Sequence, residues 1–305
     1  MSVYQNLNPS HRPSQLGDVL RWAVWDKLRG RRNIRPAGAP APVASPDLVR
    51  VCQGTDAAQA TWIGHSSYLL SLAGCQLLID PVFAARVGIW YRRHAAPGLL
   101  PDQLPPLTAI LITHNHYDHM DLASLKALDG DAVEVLENLQ HRIPQSNLVE
   151  LQWWQSHRLG PVEVTFVPAR HWSARLHMSR NSSLWGGYIL QAEGITIYHA
   201  GDSAWFEGFA EIGSRFPGID TALLPIGAYE PFWFMQNHHM TPEQAGEAFL
   251  AVGARNLVPM HFGTFQMTDE PLMEPLERLQ SWWANHGPSE GQMLEPQIGG
   301  TLALD

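Results

Sequence analysis

Five side chains that can bind metal ions occur within eight positions of the sequence: His114, His116, Asp118, His119 and Asp121. Imidazole and carboxylate groups are the ligands that zinc and neighbouring first-row metals prefer in proteins. A lone histidine is more often structural, but so many polar groups in one short segment would be costly to bury without a cation. The segment therefore predicts a metal centre.

The histidine-rich segment follows Ala109–Thr113, a continuous apolar stretch that is typical of a strand buried on both faces. A tight loop after this strand would direct His114 and His116 to one cation. Asp118 and His119 would then reach a second one. Two cations roughly 3.5–4 Å apart lower the pKa of a shared water and bind the oxygen of the group under attack. The pattern therefore predicts a dinuclear, metal-dependent hydrolase that uses a bridging hydroxide.

One loop cannot enclose two cations, so further ligands must come from elsewhere in the chain. The ends of strands in α/β proteins often converge on one functional edge. Three more strand-like segments end beside a histidine or an aspartate: Val162–Val167 before His171, Ile195–His199 before Asp202, and Asn256–Met260 before His261. We expect these three side chains to complete the centre.

The elements around these residues indicate one sandwich-like α/β (α+β) domain over residues 47–305. Short strand-like segments come first, and helices are interspersed with the later ones. A helix is predicted to begin after Thr241, with threonine as the N-cap and Pro242 at the first helical position. A further strand is predicted at Val133–Leu136.

Residues 1–46 form a separate basic arm that ends in a Pro/Ala-rich linker. Residues 1–50 carry eight Lys or Arg side chains against three Asp or Glu, whereas the whole chain has a net charge of −9. The acidic body argues against a nucleic-acid partner. The arm contains an amphipathic helix that would either contact an anionic membrane or dock on the domain. Without a secretory signal, we expect a cytoplasmic protein, with membrane contact at the inner face.

The motifs resemble the metallo-β-lactamase fold superfamily, whose hallmark is a His-x-His-x-Asp-His run, over about residues 58–300. The resemblance implies a four-layer αββα sandwich with two divalent metal ions at one edge. It assigns ligand roles to His114, His116 and His171 for one ion, to Asp118, His119 and His261 for the other, and to Asp202 as a bridge. Asp80 would support the ligands from behind. Zinc suits this set, and iron or manganese could also occupy it.

Longer motifs resemble the N-acylphosphatidylethanolamine-hydrolysing phospholipase D group: Gly64-His65-Ser66-Ser67, Ile79-Asp80-Pro81, Arg170-His171-Trp172, Ala200-Gly201-Asp202 and His261-Phe262-Gly263. This resemblance implies a phosphodiesterase that acts on a lipid-like phosphodiester, and a homodimer. In that group the histidine at the His239 position lies near the reaction centre. The adjacent His238 leaves the alignment open by one residue.

In the predicted mechanism Asp118 binds metal and orients the nucleophile. His239 either donates a hydrogen bond to the phosphate or protonates the leaving alkoxide. Tyr117 and Tyr229 are either hydrogen-bond donors to substrate or buried structural residues. Trp233 and Phe234 belong to an apolar segment that either lines the entrance or forms core. A lactonase or another carboxylic-ester hydrolase is the alternative activity. A metal-binding scaffold or sensor is the non-enzyme alternative, and the complete ligand set disfavours it.

Overall fold

The computed structural model describes residues 4–12, 14–53, 57–128, 134–137, 148–175 and 180–304. Its strands are β1 Gln59–Gly64, β2 Ser67–Leu72, β3 Cys75–Ile79, β4 Arg86–Val87, β5 Tyr91–Arg92, β6 Ala109–Leu111, β7 Glu134–Glu137, β8 Leu148–Glu150, β9 Ser156–Leu159, β10 Val162–Pro168, β11 Gly186–Ala192, β12 Ile195–His199, β13 Thr221–Pro225, β14 Asn256–Met260, β15 Gln292–Met293 and β16 Thr301–Ala303. Val133, where the predicted strand Val133–Leu136 begins, lies outside the described residues.

The strands form two seven-stranded sheets and one small hairpin. The first sheet has the order β16-β1-β2-β3-β6-β7-β8, the second has the order β15-β14-β13-β12-β11-β10-β9, and β4 pairs with β5. Strands β1, β3 and β6 point in one direction in the first sheet. Strands β10, β12, β13 and β14 share one direction in the second. Residues that follow strands of one direction gather at the same sheet edge.

The helices flank the sheets and connect them. They are α1 Leu16–Leu20, continued by a π-helical turn Arg21–Trp25 and by α2 Asp26–Leu28, then α3 Leu48–Gln53, a 3-10 turn Pro101–Gln103, α4 Leu122–Ala127, α5 Gly208–Arg215, α6 Phe232–Met235, α7 Pro242–Val252 and α8 Glu274–His286. Helix α7 begins as predicted, because the Thr241 side chain accepts a hydrogen bond from Gln244 N at 3.3 Å. It ends at Gly253, whose φ of +67° suits glycine.

The two sheets pack face to face, with helices on their outer sides. Tyr68 Oη of the first sheet donates to the Pro259 carbonyl of the second at 3.3 Å. The outer face of the first sheet packs Leu78 and Ile110 against Leu125 of α4. Residues of α7 and α8, such as Phe249 and Trp282, belong to the same buried cluster as the second sheet. This is the four-layer αββα sandwich that the family resemblance implies.

The N-terminal arm packs on the domain. The Trp22 ring stacks on Phe234 of α6 with ring centroids 4.9 Å apart. Arg35 makes a two-pronged ion pair with Glu274 at the start of α8. Among the described residues, no helix is both long and apolar enough to cross a bilayer.

Candidate metal centre

The metal-binding segment is held from behind by Asp80, which follows β3. Asp80 Oδ1 accepts from Thr113 N at 2.8 Å, and Oδ2 accepts from Thr113 Oγ1 at 2.6 Å. His119 Nδ1 also donates to Asp80 Oδ2, at 2.7 Å. Because Nδ1 is engaged, the ring of His119 presents Nε2 toward the centre of the cluster. Asp80 thus lies where a supporting carboxylate is predicted.

The first group of the cluster consists of three imidazoles. His116 Nδ1 lies 2.9 Å from His114 Nε2 and 3.2 Å from His171 Nε2. His114 and His116 lie in the loop after β6, and His171 lies beyond the end of β10 in the opposite sheet. The sandwich therefore brings together three nitrogen atoms that the family resemblance assigns to one cation.

These three imidazoles are neutral at ordinary pH. Burial lowers the pKa of His116 to about 3 and that of His171 to about 4. Burial, together with the neighbouring imidazoles, holds the pKa of His114 well below its usual value. A metal ligand must be unprotonated, so this environment leaves the nitrogen lone pairs available to a cation.

The second group contains Asp118, His119 and His261. Asp118 Oδ2 lies 3.6 Å from His119 Nε2 and 3.5 Å from His261 Nε2. His65 joins them, because its Nε2 lies 3.0 Å from the same carboxylate oxygen. All four side chains are buried and close enough to hold one metal ion.

Asp202 lies between the two groups. Its Oδ2 atom is 3.1 Å from His119 Nε2 and 3.3 Å from His261 Nε2. The same oxygen is 3.8 Å from both His114 Nε2 and His171 Nε2. One carboxylate oxygen is thus in reach of nitrogen atoms from both groups, which is the position predicted for a bridging ligand.

The centre attracts positive charge. Burial alone would lower the pKa of His261, but the carboxylates of Asp202 and Asp118 outweigh it and raise that pKa to about 9. The pKa of His119 is likewise raised well above its usual value, because Asp202 and Asp118 offset its burial. Burial would raise the pKa of both carboxyl groups, yet the imidazoles, His119 foremost, hold it well below the ordinary range. A divalent cation would supply the same compensating charge.

Unsatisfied buried atoms provide a second indication of a ligand. His119 Nε2, His261 Nε2 and Asp202 Oδ1 are buried without a hydrogen-bond partner among the described residues. Buried polar atoms are rarely left unpaired, since each costs about 1–3 kcal/mol. Nitrogen and carboxylate oxygen donors that converge without partners fit a divalent metal ion of the zinc type.

Sequence reasoning did not assign His65 to the centre. This residue follows β1 in a left-handed conformation, with φ of +55°. Its backbone N donates to Thr264 Oγ1 at 2.8 Å, and its carbonyl accepts from Trp62 Nε1 at 2.9 Å. These bonds hold the strained backbone and direct the ring to Asp118. The signal that could have identified it is its place after a strand parallel to β3 and β6.

The two adjacent histidines after α6 have different surroundings. His239 Nδ1 lies 3.9 Å from Asp202 Oδ2 and has no hydrogen-bond partner among the described residues. His238 Nε2 instead accepts from Ser14 N at 3.1 Å. The geometry therefore favours His239 over His238 as the residue that faces the reaction centre.

The four predicted substrate-binding residues occupy different environments. Tyr117 is partly exposed beside the cluster, under the guanidinium of Arg175 at 4.2 Å. Tyr229 is buried and donates to Glu274 Oε1 at 2.7 Å, which matches the structural alternative. Phe234 is buried beneath the arm, and Trp233 lies beneath Arg21 at 4.0 Å.

Three further residues border the centre although no role was predicted for them. The Trp172 ring meets the ring of His116 edge-on, with centroids 4.6 Å apart. The guanidinium of Arg180 lies 4.5 Å from the centre of the Trp172 ring. Arg175 Nη1 donates to the Met120 carbonyl at 2.7 Å, so its positive charge lies beside the metal-binding loop. The border of the centre is thus aromatic and cationic.

Comparison with known proteins agrees with this geometry. The family described as the beta-lactamase superfamily domain matches residues 76–262. An uncharacterized protein of Mycobacterium tuberculosis is 36% identical over 294 residues, which cover 91% of this chain and 77% of that protein. The N-acyl-phosphatidylethanolamine-hydrolyzing phospholipase D 1 of Caenorhabditis elegans is 32% identical over 251 residues, with 72% of this chain and 68% of that protein covered.

A metal-dependent hydrolase of Pyrobaculum aerophilum is 32% identical over 217 residues, which cover 68% of this chain and 86% of the relative. Among solved structures, a metallo hydrolase of Ignicoccus hospitalis superposes with a TM-score of 0.61 at 22% identity. That comparison covers 81% of this chain and 98% of the other, and it supports the fold. The chain therefore belongs to the beta-lactamase superfamily and is a metal-dependent hydrolase with the metallo-β-lactamase fold.

Proposed function

We propose that the protein is a dinuclear phosphodiesterase of the phospholipase D type that hydrolyses a lipid-like phosphodiester. The observation that carries the proposal is the position of Asp202 Oδ2, within 4 Å of imidazole nitrogens from both groups. In this proposal His114, His116 and His171 would hold one zinc ion. Asp118, His119 and His261 would hold the second, and Asp202 would be a ligand shared by both.

The bound cations, Asp118 and His239 would have separate roles in the hydrolysis. Two bound cations would polarise a phosphoryl oxygen and supply a hydroxide nucleophile near neutral pH. Asp118, whose Oδ2 lies among the imidazoles of His65, His119 and His261, would orient the attacking water. His239, whose Nδ1 is unpaired among the described residues and faces Asp202, protonates the leaving alkoxide.

The cationic border supports an anionic substrate. The guanidinium groups of Arg175 and Arg180 lie over Tyr117 and Trp172, next to the histidine cluster. A phosphodiester carries a negative charge that a lactone lacks, and arginine is a favoured partner of phosphate. The similarity to the worm phospholipase D supports the same substrate class.

A panel of three substrates tests the proposed activity. We expect the zinc-loaded protein to hydrolyse a nitrophenyl phosphodiester and N-acylphosphatidylethanolamine vesicles, and to lose both activities after chelation. Restoring zinc should restore both, because the ligands are protein side chains. Hydrolysis of lactones alone would identify the carboxylic-ester hydrolase instead. No chelator-sensitive turnover of any substrate would favour a metal-binding scaffold.

We further propose that the arm contacts an anionic membrane at the cytoplasmic face, where a lipid substrate would be met. One side of the arm helix packs on the domain through Trp22, while Trp25 and Leu28 are exposed, Leu28 at 76%. Exposed Lys27 and Arg29 lie beside these apolar side chains. An apolar face flanked by basic groups is suited to the surface of an anionic bilayer.

Point substitutions on the exposed face test membrane contact without disturbing the docked face. We expect Trp25→Glu combined with Leu28→Glu to weaken cosedimentation with phosphatidylserine-containing vesicles by about 10²-fold or more, since burial of each large apolar side chain contributes about 1.5–3 kcal/mol and about 1.4 kcal/mol corresponds to tenfold in affinity. Leu250→Glu is the matched control, because Leu250 is 48% exposed on α7. Equal vesicle binding by the arm variant and the control would contradict membrane contact.

A further inference from the structure

The N-terminal arm contacts the candidate metal centre through Asn6. The side-chain amide of Asn6 bonds the backbone of His171 on both sides: Nδ2 donates to the His171 carbonyl and Oδ1 accepts from His171 N, each at 3.1 Å. The same amide donates to the His11 carbonyl at 2.9 Å and accepts from Trp185 Nε1 at 3.3 Å. Asn6 is 7% exposed and all its side-chain donors and acceptors are paired, so these hydrogen bonds fix the orientation of its amide.

A second link from the arm reaches the imidazole of His171. His171 Nδ1 donates to the His238 carbonyl at 2.8 Å, which leaves Nε2 as the atom that faces His116 and Asp202. His238 is itself held by Ser14, whose backbone N donates to His238 Nε2 at 3.1 Å and whose Oγ lies 2.9 Å from the same atom. The backbone of His171 and the partner of its ring are therefore both anchored to the arm.

We infer that Asn6 and Ser14 are positioning residues that orient His171 for metal binding. The N-terminal arm would therefore contribute to metal affinity although it supplies no ligand. His171 follows β10 and comes directly after the isolated bridge between Arg170 and Ala204. Its own backbone N and carbonyl are bonded to Asn6 of the arm. Partners of this kind fix the orientation and tautomer of a metal-binding histidine, and their loss typically costs 10- to 100-fold in metal affinity.

The inference rests on the proposed metal centre and is tested by metal binding alone, without a substrate. Metal-free full-length protein is titrated with Co²⁺ and followed by visible absorption, and zinc content is measured after dialysis. We expect Asn6→Ala to lower the affinity for one of the two bound ions by about 10- to 100-fold and to leave the affinity for the other unchanged. His171→Ala should affect the same ion more strongly. Asn6→Asp keeps the acceptor for His171 N but places a second acceptor against the carbonyls of His171 and His11, so it should not restore the affinity.

Two further variants make the result decisive. Ser14→Ala removes the hydroxyl beside His238 and tests the same link if Asn6→Ala folds poorly. Ser10→Ala is the control, because that arm residue is exposed and its hydroxyl donates to Asn8 Oδ1 rather than to His171 or His238. Wild-type Co²⁺ affinities and spectra in both Asn6→Ala and Ser14→Ala would overturn the inference. An equal loss of affinity for both ions would also overturn it. Failure of the wild-type protein and Ser10→Ala to bind Co²⁺ would overturn the proposed metal centre itself.

Discussion

Replacing Asp202 by asparagine is expected to lower kcat/KM by about 10³-fold or more. The substitution keeps the shape of the side chain but removes the negative charge that lies 3.1 Å from His119 Nε2 and 3.3 Å from His261 Nε2. Since bound cations contribute several kcal/mol to such reactions and about 1.4 kcal/mol corresponds to tenfold in rate, weaker binding has a large effect. Zinc content measured beside the rate should fall below that of the wild-type protein.

The control for Asp202→Asn is Asp102→Asn. Asp102 is exposed in the short turn Pro101–Gln103, whereas Asp202 is buried, and its substitution removes the same charge. We expect this control to keep the wild-type zinc content and rate. Unchanged zinc content and rate in Asp202→Asn would contradict the bridging position assigned to Asp202.

Replacing His239 by alanine is expected to lower kcat by about 10²- to 10⁴-fold on a substrate with an alkoxide leaving group, while zinc content stays unchanged. The physical reason is that an alkoxide leaves slowly unless a proton is delivered to it. A nitrophenolate leaves without that proton, so the loss on a nitrophenyl phosphodiester should be much smaller. The measurement compares kcat on both substrates for the same zinc-loaded preparation.

His94→Ala serves as the control for His239→Ala, because the His94 side chain is exposed. An equal loss on the two leaving groups would contradict proton delivery by His239. A loss of zinc would assign His239 to metal binding instead, as its closeness to His171 and Asp202 allows.

Much of the candidate centre can be predicted from the sequence because its residues follow strands with clear apolar patterns. His261 comes directly after β14, and Asp202 and His171 each lie three residues beyond a strand end. Strands of one direction bring such residues to one edge whatever the details of packing are. Helix α7 is equally predictable, since its Thr-Pro start is a local signal that needs no tertiary contact.

Other parts of the centre depend on contacts between distant segments. Asn6 lies 165 positions from His171, and nothing in its neighbours along the chain indicates that contact. His65 is similar, since its approach to Asp118 depends on the register of β1 beside the other strands. Long-range hydrogen bonds of this kind leave no periodic pattern in the sequence.

The aromatic residues after β13 show a different obstacle. An apolar segment can line a substrate entrance or fill a core, because both settings favour the same side chains. Trp22 of the arm, more than 200 positions away, stacks on Phe234 and makes it buried. The environment of Phe234 is therefore decided by a partner that local sequence does not reveal.

The candidate ligands belong to both sheets, and this has a consequence for unfolding. His114 follows β6 of the first sheet, whereas His171 and His261 follow strands of the second. A cation bound among them is a cross-link between the two halves of the sandwich, which must separate when the chain unfolds. By mass action, metal present at 1,000 times its dissociation constant adds about 4 kcal/mol to the free energy of unfolding. That is a sizeable part of the 5–15 kcal/mol typical of folded domains.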